Sequence, residues 1–503
     1  MTLRSWKTGF TTSTGFGLDV FSQDELDMLH YATLELLWET GIKVETKEAF
    51  DLFQNAGATG EWFQDYGIIK IPSYITEDCI RSAPRTVVFY GREAKNDYVA
   101  EPKRVGFSTF GECIQIIDPD TRKVRKSVKS DLAGATLMCD YLDEIAVVER
   151  AMCSSDQYPH TQPLHNYEAM VTNTSKHCFL GFGSGENAKK ILEMAAACVG
   201  GKENLQKRPI VTAFVCPTSP LTLVKSCCDV IMECAKAGMG IAIIPMALCG
   251  ATSTATLAGT LVQHNAEVLS ALILAQLTRK GTPCTYSSCS TIMDLRFTAT
   301  AVGAPEYGII SAGLTKLAQY YQLPCWVGGG HSDSKIPDAQ AAYEFSLTAT
   351  VSALAGANIV YGAGCLESGL TFDYAKMMMD AEQIRRIFHV IRGIEVNDKT
   401  IALDVIHEVG PGGEFMTHQH TFENMRSMSQ CKLFDRRNRD GWMERGGKDL
   451  TERAYEEAKH VLETHKPAPL TDGAAETMKS IIEDYETELK AEKQKEKRST
   501  SYD

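Results

Sequence analysis

ANIVYGAG, residues 357–364, decides the fold by its place in a count. Its β-branched and aromatic centre, closed by glycines, reads as a short buried strand. Seven runs of the same kind precede it: VGFSTFG (105–111), IAVVERAMC (145–153), HCFLGFG (177–183), PIVTAFVC (209–216), GIAIIPMAL (240–248), TPCTYSSC (282–289) and LPCWVGG (323–329). Helix-like stretches lie between them, among them residues 188–198, 221–237, 255–277 and 306–321. The spacing is roughly 30–45 residues, the size of a βα unit. Strands alternating with helices indicate a parallel sheet. Eight such units close into a (β/α)8 barrel. An open, doubly wound sheet is the rival arrangement, and the count of eight favours the barrel.

The rest of the chain is arranged around residues 101–375, the expected barrel. Residues 1–100 read as a helical lead-in. Ser22 caps a helix in which Leu26, Leu29, Ala32, Leu36 and Leu37 recur at helical spacing, and Gly41 stops it. A second short helix is expected near residues 49–55. Residues 376–503 read as an α+β extension. It holds a helix near 380–392, a strand-like IALDVI (401–406) and helices near 450–462 and 474–492. The charged tail KAEKQKEKRSTSYD is expected to fray into solvent.

Composition narrows the class of protein. The 503 residues are 44% hydrophobic and 23% charged, ordinary globular values. A net charge of −13 argues against nucleic acid and anionic membranes as partners. The sixteen cysteines include no C-x-x-C, and most sit in apolar runs as small buried hydrophobes. With no apolar leader in MTLRSWKTGF, a reducing cytoplasm is expected. The long apolar stretch 239–259 is interrupted by Pro245, so no membrane span is expected.

Barrel enzymes work at the C-terminal ends of their strands. Those ends supply Phe110 and Glu112, Tyr158 with His165 beyond it, Tyr286 with Arg296 beyond it, Trp326, and Tyr361 with Gly364. The densest polar group follows the seventh run: GGGHSDSK, residues 328–335. There His331 is a donor or acceptor near neutral pH, Asp333 suits a cation, and Lys335 suits a carboxylate. The bland alternative is a turn in which Asp333 caps a helix and Lys335 is solvated. Gly181-Phe-Gly-Ser-Gly185 lacks the lysine of a P-loop and reads as a tight βα turn. His418-Gln-His420 has only Glu414 and Glu423 for company, so no metal centre is expected.

Several stretches then resemble the trimethylamine:corrinoid methyltransferase family. They are DSK-x-PD-x-QA-x-YE (333–344), TSTATLAGTLVQHNAEVLSALILAQL (252–277), SALAGANIVYGAGCLESGLTFDYAKMMMD (352–380), residues 39–44 and Phe89-Tyr-Gly-Arg92. The resemblance spans residues 20–470 and implies a (β/α)8 barrel. The family's archetype carries pyrrolysine, whereas this chain has only standard residues, and 328–335 is the region in which to look for the replacement. That departure implies the branch acting on quaternary amines, glycine betaine first, with proline betaine and carnitine as alternatives. The implied acceptor is Co(I) of a corrinoid on a separate small protein, not tightly bound to this chain, and a homo-oligomer is implied. In that scheme Phe110, Tyr158, Tyr286, Trp326 and Tyr361, with Asp333 or Glu112, would surround the ammonium. His331, Lys335, Arg296 or His165 would hold a substrate carboxylate. Gly328, Gly329, Gly330 and Gly364 would leave room for the corrin. A barrel that binds betaine without turning it over is the competing reading.

Overall fold

The computed structural model describes residues 10–11 and 17–499, with side chains for 17–493. The leader reading of residues 1–9 and the last four residues of the tail lie outside these. Eight parallel strands form the centre: β1 (Arg104–Thr109), β2 (Val148–Glu149), β3 (Cys178–Gly181), β4 (Val211–Val215), β5 (Ile241–Ile243), β6 (Cys284–Ser288), β7 (Cys325–Gly328) and β8 (Ile359–Ala363). Seven fall inside their sequence runs, and β1 begins one residue before its own. Pairing proceeds in chain order from β2 to β8, and β8 pairs with β1. A parallel bridge between Phe107 and Ile145 joins β1 to the approach of β2, with the Ala146 amide donating to Phe107 O at 2.9 Å. The sheet therefore closes, and the open-sheet alternative falls.

One helix follows each strand: α1 (Lys129–Tyr141), α2 (Gln162–Asn173), α3 (Gly185–Cys198), α4 (Lys225–Ala237), α5 (Leu257–Thr278), α6 (Pro305–Tyr320), α7 (Ala339–Leu354) and α8 (Tyr374–Ile391). By length and composition α5 is apolar enough to cross a membrane. It is instead a wall helix, mostly buried between the barrel and helices Gln23–Glu35 and Ser73–Ser82. Cover on several sides explains why it is apolar all round.

Two kinds of core result. Side chains pointing outward pack against the helices, while Phe179, Phe214, Ala242, Trp326, Ile359 and Tyr361 fill the barrel interior. The N-terminal end of the barrel is plugged by an antiparallel hairpin, Val87–Phe89 with Tyr98–Ala100. The Tyr98 hydroxyl donates to Asn358 O at 2.6 Å, at the start of β8. Access to the interior is thus confined to the other end.

The flanking regions differ from the sequence reading in detail. Ser22 caps Gln23–Glu35 in a capping box with Glu25, and Gly41 (φ 78°) ends the helical run as expected. The lead-in is not purely helical, however. Ile42–Val44, Thr59–Trp62 and Gly67–Lys70 form a small sheet that also takes Thr222–Leu223 from the loop after β4. The α+β expectation for the C-terminal extension fails: beyond Phe372 every described element is a helix. IALDVI lies in the helices Asp398–Ile401 and Leu403–Val409. An apolar run of that length carries too few turns to separate the two periods. The tail begins within a helix, Ala474–Ser499, that packs on α3, and its side chains at 490–493 are exposed.

Candidate active site

The strand ends bring part of the nominated set together. The Phe110 ring stands edge-on to His331 at 4.6 Å between centroids and stacks on Tyr361 at 6.1 Å. His331 Nδ1 is 3.0 Å from the Tyr307 hydroxyl, and Tyr361 donates to Ser288 O at 2.8 Å. One layer deeper, Trp326 lies flat on Phe179 with centroids 3.8 Å apart. These rings form an aromatic column below the mouth.

Between the two layers sits Glu149, which the sequence reading missed. It is 3% exposed, and Trp326 Nε1 donates to its Oε2 at 3.1 Å. A Cβ at Gly111 would meet Glu149 Oε1 at 2.5 Å, so glycine is required for the β1 end to pass over this carboxyl. Burial raises the Glu149 carboxyl well above its usual range, against the Trp326 hydrogen bond that favours the anion. Arg150 follows it and is 5% exposed. Its Nε and Nη2 donate to Gly111 O at 3.1 and 2.9 Å, and Nη2 pairs with Glu112 Oε1 at 2.5 Å.

Above these residues a cleft of about 260 Å³ opens among the ends of β1 to β4. Glu112, Arg150, Gly181, Phe214 and Cys216 line it. Glu112 itself is half exposed. The surrounding protein pushes the Cys216 thiol up, and Glu112 and Glu149 add to that shift.

The β7 loop is a clamp. Asp333 accepts from the Val302 and Gly303 amides, each at 3.0 Å, and from the Ser368 hydroxyl at 2.7 Å. Its carboxylate thereby ties the loops after β6, β7 and β8 together and is not presented to a ligand. Ser332 donates to Glu344 at 2.7 Å, and Ser334 to Asp338 at 2.8 Å. Asp338, not Asp333, caps α7. Lys335 is exposed and donates to the Asp333 carbonyl. His331 Nε2 is buried without a hydrogen-bond partner, and burial lowers the ring to about 3, so it is neutral at pH 7.

The glycines that were expected to face a corrin face protein instead. A Cβ at Gly328 would lie 1.6 Å from the Tyr307 hydroxyl, at Gly329 2.8 Å from Val360, at Gly330 2.6 Å from Phe345, and at Gly364 2.4 Å from Phe372. They make room for neighbouring side chains.

Four further nominations lie elsewhere. Tyr286 points outward into the helix layer, where its hydroxyl donates to Asn265 of α5 at 3.0 Å. Parity along β6 puts Thr285 and Ser287 on the opposite face. Tyr158 lies under the C-terminal helix with Lys493 5.7 Å from its ring. His165 is held between Lys129 and Glu486, each at 3.1 Å. Arg296 is 79% exposed and paired with Asp294 on a hairpin after β6. His418 caps the helix Gln419–Asn424, and no metal-ligating cluster occurs among the described residues. Glu149 and Arg150 did leave a signal: they are the charged pair inside the apolar run IAVVERAMC.

Comparisons with known proteins follow the same lines. Residues 8–490 match the family described as trimethylamine methyltransferase (MTTB). A trimethylamine methyltransferase of Desulfitobacterium hafniense is 49% identical over 482 residues, covering 96% of this chain and 97% of the relative. A glycine betaine methyltransferase from another strain of that organism is 30% identical over 459 residues, covering 90% and 94%. The crystal structure of the Methanosarcina barkeri monomethylamine methyltransferase superposes with a TM-score of 0.53 at 13% identity, over 90% of this chain and 89% of that one, a likeness of fold. With a family match along nearly its whole length and a closed (β/α)8 barrel beneath it, this chain belongs to the trimethylamine methyltransferase family and is a methyltransferase.

Proposed function

We propose that this enzyme takes one methyl group from a quaternary amine, glycine betaine first among the candidates, and releases the dimethylated amine. The observation that carries the reading is Glu149, a carboxyl buried among rings at the productive end of the barrel. A cation bound beside it would offset the cost of burying the charged carboxylate. Each well-placed ring adds about 0.5–2 kcal/mol of cation–π attraction. A quaternary nitrogen has no lone pair and leaves as a neutral amine, so the site needs to orient a methyl group and exclude water, and no proton donor. Neutral His331 is compatible with that requirement.

The acceptor in this reading is a corrinoid, which supplies a nucleophilic Co(I). A cleft of about 260 Å³ fits a small amine and does not enclose a macrocycle. A corrinoid presented from outside, on a separate protein seated over the mouth, matches that size. The reading includes a cytoplasmic setting, supported by sixteen free cysteines, thirteen of them buried. It also includes a homo-oligomer, which would cover the exposed apolar side chains Ile394, Val396, Met416 and Phe422.

A second reading has a specific observation behind it. Burial favours the protonated form of Glu149, which would suit delivery of a proton to a tertiary amine such as trimethylamine, the substrate named for the 49% relative. Proline betaine and carnitine remain alternatives within the first reading. Two measurements decide. Isothermal titration with glycine betaine, carnitine and trimethylamine ranks the ligands. Incubation with a reduced corrinoid protein should yield dimethylglycine from glycine betaine. Betaine binding without dimethylglycine would leave a binding protein, and trimethylamine turnover alone would establish the second reading.

A further inference from the structure

We propose that Arg150 anchors the carboxylate of the substrate, and that Glu112 holds its place in the free enzyme. The site would then select methylated amines that carry an acid group. This rests on the methyl-transfer reading above and adds a specificity that neither Glu149 nor the aromatic column can supply, since both recognise only the ammonium end. The sequence nominates His331, His165, Arg296 and Lys335 for the other end, and none of them lines the cleft. Arg150 does.

Its geometry suits an exchangeable anion. Nε and Nη2 are steadied by the Gly111 carbonyl, which fixes the guanidinium without neutralising it. Glu112 supplies the counter-charge, yet its side chain is 51% exposed against 6% for Arg150. The arginine is fixed and the glutamate is free to swing into water. A substrate carboxylate remakes the same charge-assisted hydrogen bonds, in the planar fork that guanidinium offers, while Glu112 recovers its hydration. Glu149 and Arg150 are consecutive residues at one strand end. The distance between the ammonium and carboxylate sites is therefore set by a strand end and not by a loop, as a short zwitterion requires.

The test compares glycine betaine with choline, which has the same trimethylammonium group and no carboxylate, by isothermal titration on the full chain. Arg150→Gln should weaken glycine betaine by about tenfold or more and choline by less than about twofold. Glu112→Gln should tighten glycine betaine by about two- to fivefold, leaving choline unchanged, because the competitor is gone. Equal losses for both ligands in Arg150→Gln overturn the proposal, as does weaker betaine binding in Glu112→Gln. If circular dichroism shows Arg150→Gln unfolded, the half-exposed Glu112 position decides alone. Failure of the wild-type protein to bind either ligand overturns the methyl-transfer reading itself.

Discussion

Residues 328–335 after β7 and residues 110–112 with 149–150 at the ends of β1 and β2 make opposite impressions in sequence and in structure. The first stretch carries five polar side chains in eight residues, and the second lies in apolar runs. In the folded protein the polar loop has spent its groups on itself: Ser332, Asp333 and Ser334 bond to neighbouring loops and helices, and Lys335 to the loop's own backbone. The apolar runs deliver the buried carboxyl, the buried guanidinium and the cleft. Polar density marks where a backbone needs satisfying as often as where a ligand binds. What separates the two is whether each donor and acceptor already has a partner.

The largest effect should come from Glu149→Gln. The amide oxygen keeps the Trp326 hydrogen bond, so the melting temperature should hold to within a few degrees. Loss of the charge should weaken glycine betaine about 10- to 100-fold, or roughly 1.4–2.7 kcal/mol. Unchanged affinity by titration would remove Glu149 from the site and with it the contrast between the two regions.

Asp333→Ala should act on stability and not on binding. It strips a charged acceptor from two backbone amides and a hydroxyl, at about 2–4 kcal/mol. Thermal unfolding should show the loss, with betaine affinity within about twofold. The reverse result, normal unfolding and lost affinity, would return the β7 loop to the site.

A smaller effect concerns pH. Burial lowers His331 to about 3, and the unfolded chain carries an ordinary histidine near 6.5. Between those values the unfolded chain binds the extra proton. The stability from a neutral His331 is therefore complete above about 6.5 and is lost as pH falls towards 3. His264 (about 3) and His177 (about 4), both lowered by burial, act in the same direction. Glu149 and Asp380 (about 6), raised by burial, act oppositely and lose their contribution as pH rises. His331→Gln should make the fall in melting temperature between pH 6.5 and 4 shallower, and an unchanged slope would show that His331 is already protonated in the folded state. Smallest of all, Lys335→Ala should leave stability within about 0.5 kcal/mol and affinity unchanged. A measurable loss of betaine binding there would contradict the account of the loop.

How much was legible follows from how each signal arises. Parallel strands covered on both faces read as unbroken apolar runs, and all eight were found for that reason. The same lack of alternation hides which face each residue takes. Tyr286 and Trp326 both sit in strands and look equivalent, yet one faces the helices and the other the barrel interior. Phe110, His331 and Tyr361 come together because they lie at or beyond the strand ends on one side of the mouth. Arg296 and His165 follow their strands too, but a hairpin and a helix carry them away.

The sequence by itself determined the barrel, its eight units, the capping of the first helix and the family, because these depend on local periodicity and on extended identity. Only the tertiary structure decided which polar groups are available. A donor's partner comes from a distant part of the chain: Asp333 is satisfied 30 residues away by Gly303, and Glu149 meets Trp326 across 177 residues. Burial, which raises Glu149 and lowers His331, is likewise a property of the closed barrel and not of either residue's neighbours in sequence.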